Sequence, residues 1–147
     1  MKLLIDTNIV SELRNPRKTD PAVAAWAEAN RRLPQYISVI SVREIRKGIE
    51  SLRRRSPEQC ASLEQWLAKL LATRRDFILP ISEPIADAWG RIQSARTRPI
   101  ADSLIAATAI YHDLTLATRN VRDFESLPLR VVNPFTFETE QGSETTP

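Results

Sequence analysis

At 147 residues and 16.7 kDa the chain has the length of one ordinary domain and no room for two. Its three glycines (48, 90 and 142) exclude a glycine-rich phosphate loop, and a single His (His112) and a single Cys (Cys60) exclude Cys/His zinc sites and an intrachain disulfide. The net charge is +3, but three acids and no base fall in Glu138–Pro147, which leaves +6 on the rest and points to a polyanionic partner.

Leu3-Leu4-Ile5 is an all-apolar run that predicts a strand buried on both faces. It is too short for a signal peptide, and no stretch nears the roughly 20 apolar residues of a membrane span, so a cytoplasmic protein with no membrane attachment is expected. A short helix is predicted over 9–14, and Asp20-Pro21 opens another to about 31. Tyr36–Ile40 reads as a second strand. Ser41-Val42-Arg43-Glu44 fits a capping box, followed by a helical stripe of Val42, Ile45, Ile49 and Leu52. Ser56-Pro57-Glu58-Gln59 starts a helix to about 74, Phe77–Leu79 is a third strand, and Ser82 caps a helix over 83–96. Arg98-Pro99 breaks that helix, and 100–112 forms the next, with His112 at its favourable end. Strands follow at Leu114–Ala117 and Arg130–Val132. Trp26, Trp66 and Trp89 fall at core positions, and Cys60 is an ordinary helix residue. Strands alternating with helices predict a parallel α/β sheet covered on both faces, one unit over 1–135. Residues 136–147 form a polar, acidic tail expected to be disordered.

Four acids stand apart from the solvated faces. Asp6 follows the first buried strand, where either an Asx-turn or a ligand site at a strand's carboxyl end would use it. Glu44 fits the capping box, and Asp123 lies in a polar loop where Asn120 would cap a turn. Asp102 is the sole charge near the start of a helix that is apolar nearly all round, where a carboxylate is costly unless compensated. In a parallel sheet the loops after the first, second and fourth strands share one edge. Asp102 joins them only if the chain returns to that edge through the helix 83–96. Clustered carboxylates repel unless a cation sits among them, and oxygen ligands without Cys or His suit Mg²⁺ or Mn²⁺.

At these residues the chain resembles a PIN-domain ribonuclease of the VapC toxin type, including its trafficking-protein branch. The resemblance rests on LLIDTNIVSEL (3–13), ISVISVREIRKGI (37–49), IADSLIAATAI (100–110) and LATRNVRDF (116–124), which in order and spacing span about 1–135. It implies a PIN-like, five-stranded parallel sheet with helices on both faces. Asp6, Glu44 and Asp102 match the core acids of the metal site, and Asp123 matches a fourth. Thr118 and Asn120 match polar positions that hydrogen-bond those acids, and Asn8 has a similar place. The activity implied is Mg²⁺- or Mn²⁺-assisted hydrolysis of RNA, leaving 5′-phosphate and 3′-hydroxyl ends. A cognate antitoxin, operator DNA reached only through it, and a homodimer are the partners implied. Arg119 and Arg122, beside Asp123, are the first candidates for RNA phosphate contact, followed by Arg43, Lys47 and Arg98.

Two other classes compete. A non-catalytic interaction module would bind an antitoxin and use the acids structurally. A haloacid-dehalogenase-type phosphatase would use a strand-end Asp as nucleophile, and Asp6-Thr7-Asn8 resembles that start, but it needs a second Asp where Asn8 stands.

Overall fold

The computed structural model describes residues 1–95 and 97–139. Five strands form one parallel sheet: β1 (Leu3–Ile5), β2 (Gln35–Ser38), β3 (Ile78–Leu79), β4 (Thr115–Ala117) and β5 (Val131–Val132), in the spatial order β3-β2-β1-β4-β5. β1 pairs Leu3 with Gln35 on one side and Leu4 with Leu116 on the other. Every β1 side chain is buried, as its apolar run requires, and successive residues point to opposite faces. Leu3 and Ile5 join a core with Ile9, Val23, Trp26, Ile49 and Leu67. Leu4 joins the opposite one with Ile85, Ile105, Leu116 and Phe124.

The helices are α1 (Thr7–Glu12), α2 (Pro21–Ala29), α3 (Val39–Leu52), α4 (Pro57–Thr73), α5 (Glu83–Ala95) and α6 (Ile100–His112). The first four supply the core under one face, and α5 and α6 cover the other. α6 keeps its predicted bounds because Pro99 stops the chain on one side and Asp113 turns it on the other. Asp113 adopts φ 52°, and the Leu114 N–H reaches back to the Ala109 carbonyl (2.8 Å) to close the helix.

The largest departure from expectation is at α3. β2 ends at Ser38, whose Oγ accepts the Ile40 N–H (3.0 Å), so the helix begins three residues before the predicted capping box. Glu44 therefore stands in the second turn, free of any capping duty. α1 likewise starts at Thr7 rather than 9, capped by Asp6. Ser82 begins α5 through its carbonyl, but its buried hydroxyl has no hydrogen-bond partner among the described residues. Packing runs slightly beyond residue 135, since Phe137 lies against the first core. Most of the predicted tail, 140–147, lies outside the described residues. Among those described, no helix is long and apolar enough to cross a membrane.

Candidate active site

The carboxyl edge of the sheet gathers the four singled-out acids. Asp6 leaves β1 only 5% exposed. Its Oδ1 accepts the Thr7 N–H (2.7 Å), and its Oδ2 accepts the Thr118 hydroxyl (2.7 Å) and the Asn8 amide (3.4 Å). The Asx-turn and the cluster are thus the same carboxylate, one oxygen serving mainly the helix and the other the site. Burial raises its pKa, the bonds from Thr118 and Thr7 work against that, and the charges of Glu44 and Asp123 add to it.

Glu44 Oε1 lies 2.7 Å from Thr7 Oγ1, which also lies 2.8 Å from Ser41 Oγ. Thr7 has a single hydroxyl proton, and the carboxylate is the stronger acceptor. Thr7 thereby joins Asp6 and Glu44, one through its N–H and the other through its hydroxyl. Asp102 is in the first turn of α6 and has no side-chain hydrogen bond among the described residues. Its pKa is pushed up to about 6, first by burial and then by the charges of Asp6, Asp123 and Glu44. Arg98, four residues before Asp102, donates to the Asp123 carbonyl (3.0 Å), which places the start of α6 beside the turn after β4 at the same edge as the other acids, a point strand order alone left open. Asp123 is exposed on a 3-10 turn over Val121–Phe124, whose Phe124 is buried.

The neighbouring polar positions separate. Thr118 is fully buried, donating to Asp6 and accepting the Asn120 N–H (3.1 Å). Asn120 thus acts through its backbone, and its side chain neither caps the turn nor reaches the acids among the described residues. Asn8 bridges Asp6 and the Arg119 N–H (3.3 Å). Arg43, Lys47, Arg119 and Arg122 are exposed, although Arg119 lies over the Phe135 ring at 4.5 Å. Arg46 and Arg53, basic residues of the same region as Arg43 and Lys47, are bound to Glu50 and Glu64. Arg98 does not belong to the RNA surface expected of it. It is 9% exposed, and its guanidinium donates inward to the Asp123 carbonyl (3.0 Å) and to Ser126 Oγ. Thr7 and Ser41 were not anticipated. Only the adjacency of Thr7 to Asp6 hinted at them, because their bonds depend on how α1 meets α3.

Residues 3–128 match the family described as PIN domain. The chain belongs to the PIN-domain family. Toxin FitB of Neisseria gonorrhoeae is 36% identical to it over 140 residues, 90% of this chain and 98% of that protein. VapC ribonuclease Y4jK of Sinorhizobium fredii is 34% identical over 137 residues, 90% of this chain and 97% of that one. Among solved structures, FitAB bound to an IR36 DNA fragment aligns with a TM-score of 0.80 and 31% identity, covering 94% of this chain and 99% of that one.

Within this PIN domain Asn8 gives its amide to Asp6 and has no carboxylic proton to offer, so the phosphatase reading falls. The acids suit a hard divalent cation. All four donor groups are carboxylates, and no Lys or Arg pairs with any of them among the described residues. As the side chains stand, no three acidic, His or Cys groups among the described residues are within reach of one ion. Like charges facing one another favour that separation, and a divalent cation is the species that would draw the oxygens together.

Proposed function

We propose that the chain is a divalent-metal-dependent endoribonuclease that serves as the toxin of a toxin–antitoxin pair. The observation carrying this reading is the gathering of Asp6, Glu44, Asp102 and Asp123 at one edge of a PIN sheet, Asp6 and Glu44 joined through Thr7 and the start of α6 tied to the Asp123 turn, with no Lys or Arg paired to their carboxylates among the described residues. VapC ribonucleases of the family are in general divalent-metal dependent, and Mg²⁺ is the ion proposed, with Mn²⁺ as a substitute. When bound, the cation lowers the pKa of a water and offsets charge developing on the phosphate.

Asp6 and Asp102 are the residues that hold the cation, with Glu44 and Asp123 completing the site. Thr118 and the Thr7 N–H aim the buried Asp6 carboxylate and work against the rise in its pKa that burial causes. Arg119 and Arg122 sit beside Asp123 and take RNA phosphate, while Arg43 and Lys47 extend that surface along α3. The same acids explain an inhibitor. An antitoxin segment placing a basic side chain among them competes with metal, and operator DNA is reached through the antitoxin; the similar FitAB structure is of a complex bound to a DNA fragment. The acting species is a homodimer in the cytoplasm.

The test is cleavage of RNA by the purified chain with Mg²⁺ or Mn²⁺. Asp6→Asn and Asp102→Asn should abolish it while circular dichroism remains that of the parent. Cleavage by both variants at the parent rate would remove the acids from the reaction. A folded chain that binds its antitoxin tightly and cuts no RNA would make it an interaction module instead.

A further inference from the structure

The two halves of the acidic cluster are held differently. Asp6 and Glu44 are bonded through their carboxylates to Thr7, Asn8 and Thr118. Asp102 and Asp123 have no such hold among the described residues, so their placement depends on the backbones that carry them. Those two backbones come from segments far apart in sequence, the start of α6 and the turn after β4, and one side chain spans the gap.

Arg98 immediately precedes Pro99, whose carbonyl accepts the Ser103 N–H (3.0 Å) in the first turn of α6. Its guanidinium leaves that helix start and donates to the carbonyl of Asp123 itself. A second donor meets Ser126 Oγ, three residues further along. The Asp102 side is braced in turn: Gln93 Nε2 reaches Ser103 Oγ (2.8 Å) and the Arg98 carbonyl (3.5 Å), and Trp89 Nε1 reaches the same hydroxyl (3.0 Å). Arg98 is an expensive way to fill space. It is nine-tenths buried, pairs with no carboxylate among the described residues, and leaves its Nε without a partner. Even a buried ion pair is often replaced by apolar residues at no loss of stability, and Arg98 lacks, among the described residues, the partner carboxylate that would offset its burial. What an apolar residue could not do is bind the backbone of Asp123.

We infer that Arg98 is a positioning residue for the metal site, setting the separation of Asp102 and Asp123 by tying the start of α6 to the turn that carries Asp123. The inference rests on the metal-site reading above. It assigns Arg98 a function in cation affinity rather than in RNA contact or in packing alone.

The experiment measures Mn²⁺ binding to the full chain by electron paramagnetic resonance of the free ion, with melting temperature in EDTA alongside. The variants are Arg98→Met, Arg98→Lys, Ser126→Ala and Asp102→Asn. Arg98→Met should weaken Mn²⁺ by about 10–100-fold, the range usual for residues that orient metal ligands. Arg98→Lys, which can still reach one acceptor, should recover part of that loss. Ser126→Ala removes one exposed hydroxyl and so keeps the fold, and it should weaken binding to a smaller degree. A role in stability alone would lower the EDTA melting temperature of Arg98→Met while its folded protein bound Mn²⁺ as the parent does, and that result overturns the inference. Should Arg98→Met not fold, parent-like binding by Ser126→Ala overturns it equally. Asp102→Asn separates the two claims: if the parent binds no Mn²⁺, or this variant binds it as well as the parent, the metal-site reading itself falls and the role of Arg98 falls with it.

Discussion

As a proposed metal ligand, Asp102 is where stability and activity would oppose one another. Its ordinary carboxyl pKa of 3.8 is pushed up to about 6 in the folded chain, so between those values the folded state holds the proton more often than the unfolded state does. In metal-free protein the stability therefore falls as pH rises through that window and levels off above it. Asp6, also raised, acts in the same sense. Asp102→Asn should flatten that fall and melt higher than the parent at pH 7 in EDTA while losing cleavage. A melting curve for Asp102→Asn that keeps the parent's pH dependence would assign the effect elsewhere. Thr118→Val is the converse case. It removes the 2.7 Å donor from a buried carboxylate oxygen, which costs about 1–3 kcal/mol, and it raises the Asp6 pKa further. Urea denaturation should show the loss, and the pH profile of cleavage should move upward. Asp6 and Asp102 were legible in the sequence because each stands beside apolar residues with no basic residue within three positions. The linking hydroxyl of Thr7 was not, since its acceptor lies 37 residues away.

Elements place these residues more firmly than any single bond. The 3-10 turn that carries Asp123 is pinned by Phe124, 1% exposed in the core under α5 and α6. Phe124→Ala should cost about 3–5 kcal/mol and loosen the turn, so metal affinity should fall together with stability. The α3–α4 pair has a different fastening. Arg46 grips both Glu64 oxygens, Arg53 adds a third contact, and the Glu64 pKa is drawn down to about 2 by Arg46 and then Arg53. Glu64 is only half-buried, so salt screens much of this. Its contribution is complete above the ordinary glutamate range and is lost as pH falls toward 2. Glu64→Gln should therefore lower the melting temperature at pH 6 and low salt, with the difference vanishing near pH 2 or in molar salt. Periodicity found these helices, and proline with apolar content placed α6 correctly. It misplaced the start of α3 because two serines, Ser38 and Ser41, both look like caps, and only the end of β2 decides between them.

At the scale of the whole molecule, alternating strands and helices were enough to read a parallel sheet, and four scattered acids were enough to read the edge that carries the candidate site. The return of α6 to that edge was not derivable from spacing, and Arg98 was misread because a basic residue beside an acidic site looks like a surface contact until its burial is known. If the assembled reading is right, the chain expressed alone should slow bacterial growth, Asp102→Asn should be harmless, and co-expression with the adjacent reading frame should restore growth. Harmless expression of the folded parent would count against a toxin. The sheet also ends in two strands of only two residues each, β3 and β5. Such stubs offer a stray peptide scarcely any main-chain donors and acceptors to zip against, so the fold limits runaway filament growth by its own outline.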